Sequence, residues 1–282
     1  MKKILITGAN SYIGTSFEKY MAQWPEKYQV DTVDMIDGTW REKDFSGYDT
    51  VFHVAGIAHQ KETQENAQDY YKVNRDLAVK TAEKAKMEGV GQFVFLSSMS
   101  VYGVDTGIIC QETRPEPISN YGKSKLQAEQ KIGLLQNEDF HVVVLRPPMV
   151  YGKGCKGNYQ SLVKFAVKLP IFPKVENQRS MIYIENLCEF VRLVIESGES
   201  GTFFPQNEVY SNTSQMVCMI GRAHGKKIYL TRGFSWGLPL ARRLTRMVDK
   251  AFGSLYYEKD MSCYSQDYCI ASLEESIRRT EE

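Results

Sequence analysis

A tyrosine and a lysine that stand four residues apart are the strongest chemical signal in this sequence. Tyr121 and Lys125 begin a stretch with helical periodicity, and their spacing places both side chains on one helix face. An ammonium group beside a phenol favours the phenolate, so we expect Lys125 to lower the pKa of Tyr121. A phenol adjusted in this way can act as an acid or a base closer to neutral pH.

A cluster of serines lies upstream of this pair. Ser97, Ser98 and Ser100 follow the apolar run Phe93–Leu96, which is typical of a buried β-strand. Hydroxyl groups at the end of a parallel strand lie where α/β folds bind their ligands. The serines are therefore candidates to assist the same proton chemistry.

A glycine-containing turn near the N-terminus is typical of a pyrophosphate-binding loop. The segment Thr7–Gly14 follows the first apolar run and opens the first helical stretch. Gly8 can take the tight turn, Gly14 lets the helix pack closely on the strand, and the helix N-terminus attracts phosphate. Ser11 replaces the middle glycine of the usual pattern; its hydroxyl can donate to a phosphate, but its side chain crowds the backbone approach.

An acidic residue stands where dinucleotide-binding folds contact the ribose. Asp34 lies twenty residues after Gly14, at the end of the run Gln29–Val33. A carboxylate there accepts hydrogen bonds from a ribose 2′-hydroxyl and repels a 2′-phosphate, which favours NAD over NADP. An aspartate that only shapes a turn is the alternative, and Asp31 and Asp37 are nearby competitors.

Short apolar runs and helical stretches alternate from the first residue. Most of the runs lack polar alternation, as expected for parallel strands that are buried on both faces. The runs are Ile4–Ile6, Gln29–Val33, Val51–Val54, Phe93–Leu96 and Val142–Leu145. The stretches between them repeat apolar residues at three- and four-residue steps and are Ile13–Trp24, Ala67–Glu88 and Tyr121–Leu135. This order predicts an α/β fold with a doubly wound parallel sheet of the Rossmann type.

The composition restricts the class of protein. The chain has 282 residues, 43% hydrophobic and 24% charged, which is ordinary for one large or two joined globular domains. The formal net charge of +1 gives no electrostatic reason to expect a nucleic acid as partner. No apolar stretch has the length of a membrane span or a signal peptide, so we expect no membrane partner and a cytoplasmic location. The six cysteines form no CxxC pair, and we predict no metal site and no structural disulfide.

A basic stretch near the C-terminus has two interpretations. Residues Ser235–Lys250 combine leucines with four basic residues at helical spacing. Such a helix can bind a membrane surface, but its apolar stripe is no wider than a core-facing helix needs. We favour a helix of the C-terminal region with a solvated basic face.

A series of motifs in a fixed order resembles the extended short-chain dehydrogenases/reductases. Within them, the chain is similar to the NAD-dependent epimerase/dehydratase group, which acts on nucleotide sugars. The motifs are TGxxxxIG at 7–14, HxAG at 53–56, Asn74, SSxxVYG at 97–103, YGxSKxxAE at 121–129, LRPxxVYG at 145–152 and the segment 179–187. The resemblance covers residues 1 to about 190, and the last hundred or so match only loosely.

The resemblance implies a division into two domains. Residues 1–152 would form the NAD-binding Rossmann domain, to which residues 178–200 return. Residues 153–177 and 201–282 would form a small C-terminal α/β cap that binds the substrate. Related enzymes often dimerise through a bundle of the helices that hold Asn74 and Tyr121, so the resemblance also implies a homodimer.

The resemblance assigns roles to individual residues. Tyr121 would be the catalytic acid/base, Lys125 its electrostatic partner, and Ser98 the catalytic hydroxyl, four residues before the tyrosine of VYG. Ser98 and Tyr121 would also contact the substrate. Arg179 would bind the diphosphate of the substrate, and Asn158 a phosphate or the uridine. The residues implied to contact NAD are Gly8, Asn10, Ser11, Tyr12, Ile13, Gly14, Asp34, Asp44, Phe45, Ala55, Gly56, Asn74, Ser97, Tyr121, Lys125 and Pro148.

The resemblance leaves two reactions open. In a C4 epimerase, Tyr121 takes the 4-hydroxyl proton of a UDP-hexose or UDP-HexNAc, and the 4-keto sugar then recovers its hydride on the other face. In a 4-keto-sugar-nucleotide reductase, external NAD(P)H reduces the ketone and Tyr121 donates the proton. The segment 169–187 resembles a subgroup that contains both enzymes, and we favour the epimerase.

Two further positions differ from related enzymes; one bears on the sugar and the other on the reaction. Met149 stands where many UDP-sugar epimerases have an asparagine, which weakens any inference about the sugar. Met99 and Ser100 stand where 4,6-dehydratases carry an Asp-Glu pair, so dehydration is disfavoured. A non-catalytic dinucleotide-binding protein is a third alternative, but such relatives usually lose the tyrosine or the lysine. His53 is interpreted as a packed polar residue at a strand end, and His59 as a candidate substrate contact.

Overall fold

Five apolar runs that the sequence indicates as buried strands form one parallel sheet in the computed structural model. The structure describes residues 1–58, 60–232 and 252–282. The strands of this sheet are β1 (Lys2–Thr7), β2 (Tyr28–Val33), β3 (Thr50–His53), β4 (Gln92–Leu96), β6 (His141–Leu145) and β10 (Gly201–Phe203). They lie in the order β10-β6-β4-β3-β1-β2, and every neighbouring pair is parallel. The predicted Rossmann-type α/β fold is confirmed.

The helices follow the predicted stretches, with one change in type. They are α1 (Tyr12–Met21), α2 (Ala67–Tyr70), α3 (Ala78–Met87), α4 (Asn120–Gly133), α5 (Asn158–Lys168), α6 (Ile184–Ser197), α7 (Thr213–Ala223) and α8 (Leu273–Glu281). A π-helical segment, Tyr71–Leu77, joins α2 to α3, so the single helix predicted over this region consists of three segments. Short 3₁₀ turns cover Thr39–Arg41, Met99–Tyr102 and Lys259–Ser262.

The chain divides into two compact units, which do not follow the predicted domain bounds in detail. Unit 1 comprises residues 1–103, 114–147 and 188–205, and unit 2 comprises residues 104–113, 148–187 and 206–282. Residues 201–205 belong to unit 1 because β10 pairs with β6 of the sheet. The assignment of NAD to one domain and of substrate to the other stays a prediction.

The core of unit 1 is apolar and close-packed. Phe93 and Val142 from neighbouring strands are almost fully buried, and Ala78, Ala82 and Ala85 of α3 pack in the same cluster. The alanines recur at three- and four-residue steps, so one narrow face of α3 can approach the sheet closely. This packing positions the ends of β3 and β4, where the candidate site residues lie.

Unit 2 is built from short strand pairs and a buried polar network. The pairs are parallel and consist of β5 (Gly107–Ile109) with β12 (Leu255–Tyr257), β7 (Met149–Tyr151) with β9 (Met181–Tyr183), and β8 (Ile171–Pro173) with β11 (Tyr229–Thr231). The Tyr151 hydroxyl lies 2.6 Å from the Ser276 hydroxyl and accepts from Asn207 Nδ2 at 3.0 Å. Asn186 Nδ2 donates to the Ala271 carbonyl oxygen at 3.1 Å. These bonds attach the C-terminal segment to the rest of unit 2.

Across the residues that the structure describes, no helix combines the length and the apolar character that a membrane crossing requires. The basic stretch Ser235–Lys250 lies outside those residues.

Candidate active site

The ammonium group of Lys125 lies at the carboxyl end of β4. Its Nζ donates to the Leu96 carbonyl oxygen at 2.8 Å and lies 4.8 Å from the centre of the Phe95 ring. Lys125 is only 4% exposed. Burial lowers the pKa of Lys125 to about 8, and the nearby carboxylate of Glu129 opposes this effect. The lysine is therefore a buried cation whose charge is sensitive to its neighbours.

The phenol of Tyr121 does not have the lowered pKa that its lysine neighbour predicts. Burial raises the pKa of Tyr121, a hydrogen bond with the Ser98 side chain opposes this rise, and the Tyr70 phenol adds to it. The Tyr70 ring packs edge-on against Tyr121, with the ring centres 6.4 Å apart. The expectation about the pKa is wrong because the Lys125 ammonium bonds to a backbone carbonyl and the phenol is desolvated. The raised pKa keeps Tyr121 a protonated phenol at neutral pH.

The serines after β4 have different partners. Ser98 begins the 3₁₀ turn Met99–Tyr102, and its Oγ accepts from the Ser100 N–H at 3.1 Å. The same side chain opposes the rise in the pKa of Tyr121. The hydroxyl of Ser97 is buried and donates to Glu129. The side chain of Ser97, a predicted NAD contact, is thus occupied by the protein itself.

Asn74 and Gly56 lie against Lys125. Asn74 is fully buried in the π-helical segment, and its Oδ1 accepts from the Ile57 N–H at 2.7 Å. Its Nδ2 donates to Ser124 Oγ at 3.3 Å, on helix α4. A Cβ atom added to Gly56 would lie 2.9 Å from Asn74 Oδ1 and 3.3 Å from Lys125 Nζ. The structure therefore brings Gly56, Asn74 and Lys125 together, as expected for one site.

The glycine turn after β1 has the geometry that a pyrophosphate loop needs. Gly8 has a φ of +118°, and a Cβ atom there would lie 2.9 Å from the backbone nitrogen of Ala55. A Cβ atom added to Gly14 would lie 3.2 Å from the Ile6 side chain of β1 and 3.1 Å from the side chain of Val54, the residue after β3. Asn10 has a positive φ of 63°, and the Ser11 Oγ accepts from the Gly14 N–H at 3.2 Å. Helix α1, including the predicted contacts Tyr12 and Ile13, starts directly after this turn. These residues fit a pyrophosphate, and Ser11 caps the helix.

The acidic residues predicted to contact the nucleoside lie after β2. Asp34 follows the last residue of β2, and its Oδ1 accepts from the Ile36 N–H at 2.7 Å. Asp44 is exposed, and hydrogen bonds from Ser46 lower its pKa. The Phe45 ring is fully buried in the core of unit 1, so Asp44 is the accessible member of this pair.

Three predicted residues belong to unit 2. Pro148 precedes β7, and Asn158 is the first residue of α5. Arg179 Nη1 donates to the Gly253 carbonyl oxygen at 2.8 Å. Burial lowers the pKa of Arg179, and Asp105 opposes this effect. Their assigned roles at the nicotinamide and the substrate stay predictions.

The sequence analysis missed Glu62, which lies in the loop after β3. Its Oε1 accepts from the Tyr121 N–H at 3.0 Å, and its Oε2 accepts from the Asn120 N–H at 3.0 Å. The Ser119 Oγ accepts from the Gly122 N–H at 3.1 Å, so the N–H groups of the first three residues of α4 all have side-chain acceptors. A lone glutamate in a loop carries no sequence signal for such a contact.

His53 is the buried polar residue at the end of β3, as interpreted from the sequence. Its Nδ1 lies 2.7 Å from Thr7 Oγ1, and its ring stacks on Phe93 and Phe95 at 5.8 and 6.0 Å. Burial and, second to it, the charge of Lys125 lower the pKa of His53 to about 3. The imidazole is therefore neutral beside the lysine.

The positions of potential metal ligands agree with neither a metal centre nor a disulfide in the described residues. In the described part of the chain, no three His, Cys, Asp or Glu side chains are grouped so that they could hold a metal ion. All six cysteines are free thiols. His59 lies outside the described residues.

The parallel sheet, the glycine turn after β1 and the Ser–Tyr–Lys group after β4 define a dinucleotide-dependent enzyme of the Rossmann class. The sequence model of the NAD dependent epimerase/dehydratase family matches residues 4–210, and the chain belongs to this family. The predictions of the family, of an enzyme and of NAD as its cofactor are confirmed.

Individual proteins show how far the likeness extends. The UDP-glucose 4-epimerase of Vibrio cholerae is 28% identical over 278 residues, which cover 89% of this chain and 83% of that protein. The structure of a UDP-glucuronic acid 4-epimerase from Bacillus cereus in complex with NAD has a TM-score of 0.74 at 18% identity, covering 99% of this chain and 97% of that one. A dTDP-4-dehydrorhamnose reductase from Clostridium acetobutylicum has a TM-score of 0.76 at 20% identity, covering 99% and 98%. At such identities, the two structures show a shared fold.

Proposed function

We propose that this protein interconverts the C4 epimers of a nucleotide sugar, a UDP-hexose or UDP-HexNAc, through a 4-keto intermediate. The observation that carries the proposal is the phenol of Tyr121 at the start of α4, four residues before the buried Lys125, whose ammonium donates to the Leu96 carbonyl oxygen at the end of β4. The likeness to a UDP-glucose 4-epimerase over 89% of the chain supports the substrate class.

The residues of unit 1 would have separate roles in such a reaction. NAD, when bound, supplies a group that accepts hydride from C4 and returns it. Gly8, Gly14 and Asp34 would hold it at the pyrophosphate and the ribose. Tyr121 would act as the base in its ionised, phenolate form, taking the proton of the 4-hydroxyl and giving it back, while the Ser98 hydroxyl would bond to the same oxygen. Lys125, whose ammonium donates to the Leu96 carbonyl oxygen, would act on the phenolate through its positive charge, one helical turn away.

One observation favours the second candidate, a 4-keto-sugar-nucleotide reductase. The raised pKa of Tyr121 keeps its phenol protonated, which suits a residue that donates a proton to a ketone. The enzyme would then consume one external NAD(P)H for each ketone that it reduces. The two candidates share every residue named above and differ in whether the reduced cofactor leaves.

A turnover assay separates these candidates. Purified protein incubated with UDP-glucose or UDP-GlcNAc should form the C4 epimer, seen by proton NMR, without added reductant. Absence of both epimers together with NADH consumption on a 4-keto-6-deoxy sugar nucleotide would replace the epimerase with the reductase. Absence of all turnover from protein that still binds NAD would indicate the non-catalytic dinucleotide-binding alternative.

The Tyr121→Phe variant tests the residue assignment. We expect a loss of turnover of about 100-fold or more, because proton transfer to the 4-oxygen is removed, while NAD stays bound. Tyr229→Phe, at an exposed position of β11, is the matched control. Wild-type turnover in Tyr121→Phe would refute the assignment. The homodimer and the cytoplasmic location stay predictions.

A further inference from the structure

A buried ion pair lies one helical turn beyond Lys125. Glu129 and Arg146 are joined by Nη2–Oε2 at 2.6 Å, and Arg146 Nε lies 3.2 Å from both carboxylate oxygens. Their side chains are only 6% and 13% exposed. Removing two charges from water is costly, so a pair in this position has a specific structural or electrostatic role to be explained.

The pair is bonded to both ends of the turn that starts at Ser98. Glu129 accepts from the hydroxyl of Ser97, the residue before Ser98. Arg146 Nη1 donates to the Tyr102 hydroxyl at 2.9 Å, at the last residue of the same 3₁₀ turn. The ion pair therefore constrains the two residues that flank the Ser98 turn.

Glu129 also lies on the same side of α4 as Lys125, four residues along the helix. The groups that face Lys125 from other elements are the neutral His53 of β3, the Leu96 carbonyl and Phe95 ring of β4, and the Asn74 amide. The phenol of Tyr121 precedes it on α4, and the carboxylate of Glu129 opposes the effect of burial on the lysine. On the side of Glu129 away from Lys125, Arg146 forms the ion pair with Glu129. Arg146 in turn donates a hydrogen bond to the Tyr102 hydroxyl.

We infer that Glu129 is a positioning residue of this active site: with Arg146 it holds both ends of the Ser98 turn, and its carboxylate is the anion one helical turn from Lys125. The inference rests on the proposed roles of Ser98 and Lys125 in proton transfer. Arg146 balances the carboxylate and bonds to the far end of the turn. A purely structural ion pair would hold the fold equally well without affecting the charge of the lysine.

The Glu129→Gln variant separates charge from shape. Glutamine keeps an oxygen that can accept from Ser97, but it removes the anion beside Lys125. In full-length protein labelled with ¹⁵N-lysine, the Nζ resonance of Lys125, assigned with Lys125→Arg, should titrate at lower pH than in the wild type. In the pH profile of kcat, the fall on the alkaline side should also move to lower pH, with KM unchanged. A shift of one pH unit would lower kcat at pH 8 about fivefold.

Two matched variants complete the test. Ser97→Ala removes the hydrogen bond and leaves the charge, so kcat should fall while the Lys125 titration stays in place. Glu129→Gln/Arg146→Met removes both charges and leaves no unpaired buried cation, so it provides a folded protein if the single variant does not fold. Its Lys125 titration should also move to lower pH.

The readouts distinguish this inference from the proposed function. The NMR titration needs no substrate, so a wild type that turns over no sugar nucleotide would refute the function and leave the charge effect measurable. Unchanged Lys125 titration in both the single and the double variant would overturn the inference.

Discussion

The two units of this chain bury different kinds of groups. The core of unit 1 is formed by apolar strands and an alanine face, with Leu5 and Phe93 fully buried. Unit 2 contains a buried hydrogen-bond network that includes Tyr151, Asn186 and Asn207. Hydrophobic burial is non-directional, whereas each buried polar group needs a partner in a defined place. We therefore expect volume to determine stability in unit 1 and hydrogen-bond partners to determine it in unit 2.

The largest expected effect comes from a cavity in unit 1. Phe93→Ala should lower the free energy of unfolding of the full chain by about 3–5 kcal/mol, because a buried ring is removed between packed strands. Urea unfolding followed by circular dichroism measures this change. Phe93→Leu, which keeps most of the volume, is the matched control and should cost clearly less. Equal losses in both variants would contradict a volume-dependent core.

A smaller loss is expected from an unpaired network in unit 2. Asn207 Oδ1 accepts from the Tyr183 N–H and from Asn186 Nδ2, both at 3.0 Å. Asn207→Ala leaves these donors without that acceptor and should cost about 2–3 kcal/mol, although few apolar atoms are lost. Asn137→Ala, at an exposed turn, is the control and should change stability by about 0.5 kcal/mol or less. If both variants unfold at the same urea concentration, the network does not stabilise unit 2.

His53 is a buried imidazole in the apolar core of unit 1, and its ionisation makes the stability of this unit depend on pH. Its folded pKa of about 3 lies below its unfolded value of roughly 6.5, so below that pH the unfolded chain binds a proton that the folded chain excludes. This group therefore makes stability fall as the pH decreases from about 6.5 to about 3, by about 1.4 kcal/mol per pH unit. His53→Gln should lack this contribution. Parallel pH dependences of wild type and variant, measured by urea unfolding, would disprove it.

The smallest effect concerns a polar group at the surface of unit 1. Glu62→Gln keeps one acceptor but replaces the other with an amide that cannot bond to the first N–H groups of α4. We expect a loss of about 1 kcal/mol, similar to the loss of a helix cap, measured by thermal unfolding. Glu65→Gln, an exposed glutamate in the same loop, serves as the control. A larger loss than for Asn207→Ala would reverse the proposed ranking of the two units.

Much of unit 1 could be predicted because its signals are local. Continuous apolar runs identify β1 and β4, and the position of Tyr121 and Lys125 on one face follows from helix geometry alone. The strand β10 was not predicted, because Gly201–Phe203 is too short to show a pattern. Whether an apolar run is buried can be judged from the run itself.

The rest depends on residues that are distant in sequence. The contact of Glu62 with the start of α4 spans 59 positions at Tyr121, and the bond between Tyr151 and Ser276 spans 125. The predicted direction of the Tyr121 pKa was wrong for the same reason, since burial by the surrounding chain raises this pKa and the Lys125 ammonium bonds to the Leu96 carbonyl oxygen instead. Single polar residues in loops do not indicate their partners.

The π-helical segment also changes which residues of this helical region share a face. A π turn takes more residues than the 3.6 of an α-helix, so the angular phase of the side chains slips between Tyr70 and Ala78. Asn74 lies inside the slip and reaches Ile57 and Ser124. An alignment or a redesign of this helix therefore needs two counting frames, one ending at Tyr70 and one starting at Ala78, with Asn74 as the fixed point between them.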